Sequence, residues 1–289
     1  MSVNENNVLN VMVTGAAGML ARVTAEHCRA KGDRVIAFTR AELDISDRAA
    51  VSEAVSATQP DVVFNCAAYT NVDAAEDEPE PCFAANAHGP ENLAVACRKA
   101  GSAFVTISTD YVFGGEKEGY YYETDRPSPL SLYGRSKLEG EERVADANPD
   151  ALIVRAGWIF GSDGRNFLSL IPSLVREQNS FSAISDVYGT PTFAGDLAAR
   201  MRELAVKGTS GIFHIANTGG ISTFYAFARE ALAIVGGEDS LVAPVTADEL
   251  KRKALRPKSS PLASVRLEET GLDELPAWQD SLRSFLDAN

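Results

Sequence analysis

Tyr133 and Lys137 stand four residues apart in Tyr133-Gly134-Arg135-Ser136-Lys137, and on a helix that spacing puts both side chains on one face. An unperturbed phenol titrates at about pH 10, which makes it a poor proton shuttle at neutrality. A nearby ammonium favours the phenolate and lowers that pKa, so the pair is expected to deliver a proton to a developing alkoxide. A lone Tyr-x-x-x-Lys pair is common by chance as a surface contact. More weight comes from Thr106-Ile107-Ser108-Thr109-Asp110-Tyr111-Val112-Phe113, which places Thr109 where a strand ends, ready to hydrogen-bond a substrate carbonyl. Tyr69, Thr70 and Asp73 follow another strand-like run. Several polar groups converging on one crevice are a stronger signal than any single motif.

The elements that must position these groups alternate along the first half of the chain. Strands are expected at Val8–Val13, Arg34–Phe38, Asp61–Phe64, Ala103–Ile107 and Ala151–Arg155. Helices are expected at Gly18–Lys31, Asp47–Thr58, Glu80–Lys99 and from near Ser131 to Ala145. This alternation predicts βαβ units: an α/β chain with a doubly wound, Rossmann-like parallel sheet whose ligands bind at the carboxyl ends of the strands. After Trp158 the pattern loosens. Helices at Asn166–Glu177, Phe193–Val206, Ser222–Val235 and Pro276–Leu286, with a strand at Gly211–Ile215, are expected to form a smaller C-terminal substrate-binding domain. The division is 1–157 and 158–289, with some segments of the second part returning to the first.

Thr14-Gly15-Ala16-Ala17-Gly18-Met19-Leu20-Ala21 follows the first strand and opens the first helix. Gly15 permits a tight turn, and Gly18 lets the backbone approach a pyrophosphate seated on the helix N-terminus. Ala21 stands where a third glycine often falls, and a small residue there keeps helix and strand close. The second strand ends in Phe38-Thr39-Arg40 instead of a carboxylate. A hydroxyl and a guanidinium suit a ribose 2′-phosphate, so NADPH is the expected cofactor, with NADH as the lesser one. Asp44 is placed to accept a hydrogen bond from an adenine amino group.

Composition excludes other classes. With 45% hydrophobic and 23% charged residues in 289, the chain can bury a large core and is not disordered. A net charge of -13 repels phosphate backbones at long range and argues against a nucleic-acid partner. Cys28, Cys66, Cys82 and Cys97 have no Cys-x-x-Cys spacing, and His27, His88 and His214 form no ligand-spaced pair, so neither disulfides nor a metal site is expected. A reducing, cytoplasmic compartment follows. The polar start Met1–Asn7 is not a signal peptide, and no apolar run spans a bilayer, so no membrane partner is expected. A homo-oligomer is left open.

On these motifs the chain resembles the extended short-chain dehydrogenase/reductases and, within them, the dTDP-4-dehydrorhamnose reductase family. The resemblance runs through the glycine loop, Asn65-Cys66-Ala67-Ala68-Tyr69-Thr70-Asn71-Val72-Asp73, Ser108–Phe113 and Pro129–Glu141. It continues through Trp158-Ile159-Phe160-Gly161, Gly189-Thr190-Pro191-Thr192, Gly211-Ile212-Phe213-His214 and Arg256-Pro257-Lys258-Ser259-Ser260-Pro261-Leu262. It implies Thr109, Tyr133 and Lys137 as a catalytic triad, with Tyr133 the proton donor and Lys137 also holding the nicotinamide ribose. Cofactor contacts are implied for Gly15, Ala17, Gly18, Met19 and Leu20, for Thr39, Arg40, Asp44 and Ile45, and for Cys66, Ala67 and Ala68. Thr70, Val72, Asp110, Tyr111 and Trp158 would line a nucleotide-sugar pocket, and Arg256 would lie near the nucleotide diphosphate or shape the loop that does. The implied reaction is NADPH-dependent reduction of a 4-keto sugar nucleotide. The alternatives are a reductase or epimerase of another nucleotide sugar, and an NADP-binding regulatory subunit like that of methionine adenosyltransferase. Ala21, Gly114 and Val187 depart from the family's usual residues and leave the sugar's identity open.

Overall fold

The structure is a computed structural model that describes residues 8–288; the polar start Met1–Asn7 lies outside the described residues. Its first half runs β1 (Asn10–Thr14), α1 (Met19–Ala30), β2 (Arg34–Phe38), α2 (Arg48–Thr58), β3 (Val62–Asn65), α3 (Pro79–Phe83), α4 (Gly89–Ala100), β4 (Ala103–Thr109), α5 (Leu132–Ala147) and β5 (Leu152–Ala156). The second half runs β6 (Ile159–Phe160), α6 (Phe167–Arg176), β7 (Phe181–Ile184), β8 (Thr192–Phe193), α7 (Ala194–Val206), β9 (Gly211–His214), α8 (Phe224–Val235), β10 (Val242–Val245), α9 (Leu267–Thr270) and α10 (Trp278–Ala288).

Six strands form one parallel sheet in the order β2-β1-β3-β4-β5-β9. Strand side chains alternate between faces, so each strand feeds two cores. Val11, Val13, Phe64 and Val154 pack under α1 and α7, against Ala21, Ala25, Leu197 and Met201. Met12, Val63, Phe104 and Ile153 pack on the other face under α2, α4 and α5, against Val51, Val55, Leu93 and Val144. With both faces covered, the strands must be apolar nearly throughout, as the sequence has them. The chain leaves β1 first toward β2 and then toward β3, and the reversal opens a crevice beyond their carboxyl ends.

The expected helix over Glu80–Lys99 is not regular. It is split into α3, one π-helical turn over Ala84–His88, and α4. Pro90 has no N–H to offer the carbonyl of Asn86, four residues back, so the regular ladder cannot close there. That carbonyl instead faces Gly140 on α5, where any Cβ would collide with it.

The second half serves two layers. The α7 helix and β9 complete the main sheet, while α6, α8 and α10 bury a separate core of Phe160, Ile171, Phe227, Trp278, Leu282 and Phe285. Two short parallel pairs, β6 with β8 and β7 with β10, were not legible in the sequence. They have few residues and no clear alternation. Among the described residues no helix is long and apolar enough to cross a membrane.

Candidate active site

The glycine loop leaves β1 at Gly15, whose φ is +77° and whose Cβ position lies 2.7 Å from the backbone of Ala67. A side chain there is excluded on both counts. The Gly18 N–H donates to the Gly15 carbonyl at 2.8 Å, closing the turn, and Gly18 caps α1 with no side-chain acceptor and no acidic residue in the first turn. Ala17 and Gly18 are exposed, so the positive end of the α1 dipole opens on solvent. Behind the loop a buried polar ladder ties the ends of β1 and β3 to the middle of β4. Thr14 Oγ1 donates to Asn65 Oδ1 at 2.7 Å, and Asn65 Nδ2 donates to Thr106 Oγ1 at 2.9 Å. Cys66 and Ala67 continue from Asn65; burial pushes the Cys66 thiol up to about 12, so it is an inert wall. Leu20 packs into the core beneath, and Met19 Sδ accepts a hydrogen bond from Ser169 of α6.

Tyr133 and Lys137 lie in the first two turns of α5, which Ser131 caps by accepting the Gly134 N–H at 3.2 Å. Lys137 is 4% exposed and its Nζ donates to the Ile107 carbonyl at 2.6 Å. Burial lowers its pKa to about 8, although Glu141, one turn along α5, pulls the other way. Tyr133 departs from expectation. Burial raises its phenol above the usual range, outweighing a hydrogen bond with Thr109, and Asp110 and Tyr111 raise it further. Lys137, whose ammonium donates to the strand carbonyl, is not among the groups that dominate it. The phenol is therefore protonated at neutral pH, which is the form that can give up a proton.

Thr109 ends β4 and is buried; its hydroxyl donates to Asp110 Oδ1 at 3.1 Å and accepts the Tyr111 N–H at 3.2 Å. Asp110 does not line an open pocket as expected. It is 2% exposed, accepts from Ser260 Oγ at 2.6 Å, and is pushed up to about 6 by desolvation. It orients Thr109 and ties the β4 end to the late loop. The Tyr111 ring stands edge-on to Tyr133 with centroids 5.9 Å apart. Asn86, in the π-helical turn, holds the facing segment: it accepts the Tyr69 N–H at 2.8 Å and donates to Tyr69 O and to Ser136 Oγ, each at 3.0 Å. Thr70 is exposed and Val72 half-buried on the segment that follows Tyr69.

Trp158 follows β5 with φ at +51° and stacks on Phe224 of α8 with centroids 3.9 Å apart. Gly189 lies on its indole so closely that a Cβ would collide with the ring. Trp158 is half-buried, at the seam between the two layers. Arg256 holds Asp73 with two bonds, Nη1 to Oδ1 at 3.0 Å and Nη2 to Oδ2 at 2.8 Å, and the pair holds Asp73 down at about 2. It thus shapes the loop and is not a free phosphate ligand. Gly114 packs closely: a Cβ there would sit 3.0 Å from the Ser128 carbonyl, so a larger residue needs that segment to shift by a few tenths of an ångström.

The tip of β2 also differs from expectation. Ala16 donates to Phe38 O at 2.9 Å, which sets the β2 tip against the glycine loop. That tip does carry a carboxylate. Glu42 Oε2 accepts from both Thr39 N and Thr39 Oγ1, each at 2.8 Å. Arg40 is exposed and lies 3.6 Å from Asp44, whose Oδ1 is taken by Ser46 N and Oγ. Ile45 is buried; its side chain abuts Gly89 and its carbonyl accepts from Asn92. Glu42 escaped the sequence reading, yet Thr39-x-x-Glu42 is a capping-box pattern that could have flagged it. Ser260 lies in the Arg256–Leu262 segment with no signal of its own role, and Asn86 has no local signal.

Residues 9–289 match the family model described as RmlD substrate binding domain. The chain is 41% identical over 281 residues to the dTDP-4-dehydrorhamnose reductase of Mycolicibacterium smegmatis, covering 96% of this chain and 85% of that one. The chain belongs to the dTDP-4-dehydrorhamnose reductase family. A protein of Streptomyces niveus named dTDP-4-keto-6-deoxy-D-glucose reductase is 36% identical, over 94% of each chain. The crystal structure of the Bacillus anthracis dTDP-4-dehydrorhamnose reductase in complex with NADP superposes with a TM-score of 0.93 at 32% identity, covering 98% of this chain and all of that one. A UDP-glucose 4-epimerase of Thermus thermophilus, 22% identical with a TM-score of 0.82, shares the fold. Family, fold class and enzyme class, an NAD(P)-dependent oxidoreductase, agree with the sequence reading.

Proposed function

We propose that the protein reduces the 4-keto group of dTDP-4-dehydro-L-rhamnose with NADPH to give dTDP-L-rhamnose. The observation that carries this reading is the hydrogen bond between Thr109 at the end of β4 and Tyr133 on α5, with Lys137 one turn further along that helix, in a chain whose relatives are named reductases of such sugars. The loop fits a dinucleotide: the Gly15 cradle would be filled by any Cβ, and the exposed N-terminus of α1 is an anion site. NADPH, when bound, supplies the hydride. Thr109, positioned by Asp110, would turn its hydroxyl from Asp110 Oδ1 to donate to the substrate carbonyl. Tyr133, held neutral by burial, gives its proton to the developing alkoxide. Lys137 would hold the nicotinamide ribose, and its buried ammonium would balance the negative charge that develops on Tyr133 as the proton leaves. Residues 1–157 take the cofactor and 158–289 the nucleotide sugar, with Trp158 and Tyr111 beside the ring. The four cysteines are free thiols, in keeping with a cytoplasmic reaction.

NADPH oxidation measured with dTDP-, UDP- and GDP-linked 4-keto sugars tests the reading. Turnover is expected with the dTDP sugar, and Tyr133→Phe is expected to lower kcat by about a hundredfold or more while NADPH still binds. Turnover of none of these sugars would refute the reading in favour of a regulatory subunit.

A further inference from the structure

The turn after β2 holds one cation and two carboxylates, Arg40, Glu42 and Asp44, around a single pair of donors, Thr39 N and Thr39 Oγ1. Those donors stand at the β2 tip, against the glycine loop, where the adenosine ribose of a dinucleotide lies in a fold of this kind. They are the groups a ribose 2′-phosphate would bind. The Glu42 carboxylate already binds both at 2.8 Å. It stands as the protein's own anion in that place. A 2′-phosphate must displace or lie beside it, whereas a 2′-hydroxyl can donate to it. Arg40 does not offset this fully, because it is shared with Asp44.

We propose that Glu42 is a cofactor-selectivity residue, whose carboxylate competes with the ribose 2′-phosphate for Thr39 and so keeps the preference for NADPH over NADH small. The inference rests on the dinucleotide reading above and concerns only binding at the adenosine end. A purely structural role predicts something different. In that case Glu42 merely closes the turn at Thr39, and a glutamine, equally able to close a capping box, would change nothing.

Glu42→Gln separates the two, because it keeps the hydrogen bonds and removes the charge. The readout is equilibrium binding of NADPH and NADH to the protein without sugar, followed by nucleotide fluorescence. The wild-type protein is expected to bind the two within about tenfold of each other. Glu42→Gln is expected to tighten NADPH by about tenfold and to move NADH by less than about twofold, as loss of one exposed like charge beside a phosphate should. The gain should shrink in about 1 M salt, where screening is nearly complete. Glu42→Ala should shift the NADPH-to-NADH ratio the same way, even if weaker closure of the turn lowers both affinities. An unchanged ratio in Glu42→Gln, with NADPH binding intact in the wild type, would overturn this inference and leave the proposed function standing. Failure of the wild type to bind either dinucleotide would overturn both.

Discussion

Glu141→Gln probes the buried ion pair behind the site. Glu141 Oε2 accepts from Arg155 Nη2 at 2.6 Å, and its Oε1 accepts from Arg155 Nε at 2.9 Å and from Ser108 Oγ. Both side chains are 2–3% exposed, and the guanidinium also lies over Phe113. The substitution turns one accepting oxygen into a donor facing Arg155 and leaves the guanidinium charge buried and unmatched. Removing one partner of such a pair costs about 3–5 kcal/mol. Unfolding entropy of about 2 cal/mol/K per residue gives about 0.6 kcal/mol/K for this chain, so the melting temperature should fall by about 5–8 °C. The double replacement Glu141→Met with Arg155→Met leaves no stranded charge and should recover most of that loss. Thermal unfolding of the three variants by circular dichroism decides it. A Glu141→Gln melt within about 1 °C of wild type, or a double variant no better than the single one, would refute the argument that a stranded charge dominates.

Lys137 sets a pH limit. With its pKa near 8, kcat/KM should fall as pH rises through about 8, and Glu141→Gln should move that limb to lower pH by removing the charge that raises it. The sign for stability is opposite: the folded pKa lies below the unfolded one of about 10.4, so the cost of burying the ammonium holds below pH 8 and fades as pH rises from there. A flat rate profile between pH 7 and 9.5 would contradict this placement of the ammonium. Trp158→Ala removes the stack on Phe224 and should lower kcat/KM for the sugar nucleotide by about tenfold or more, with NADPH affinity nearly unchanged. Steady-state kinetics and NADPH titration on that one variant check it, and weakened NADPH binding with normal sugar use would sink the assignment.

The sequence by itself determined what depends on neighbours along the chain. Alternating apolar runs announced the parallel sheet, because buried strands and amphipathic helices have different periods. The glycine loop was legible because a positive φ and a close backbone approach need glycine at Gly15. The spacing of Tyr133 and Lys137 put them on one face of α5 because a helix repeats every 3.6 residues. The tertiary structure alone decided what those groups meet. Lys137 finds the carbonyl of Ile107 thirty positions away, and burial, which raises the Tyr133 phenol, comes from the packed layers around it. Asp110 is claimed by Ser260 and Arg256 by Asp73, 183 positions apart, and each thereby becomes a brace between loops. Pro90 frees the Asn86 carbonyl, but only packing against α5 reveals that Gly140 stands beside it. Such pairings follow from which surfaces the folded layers press together, and no local period or propensity encodes them.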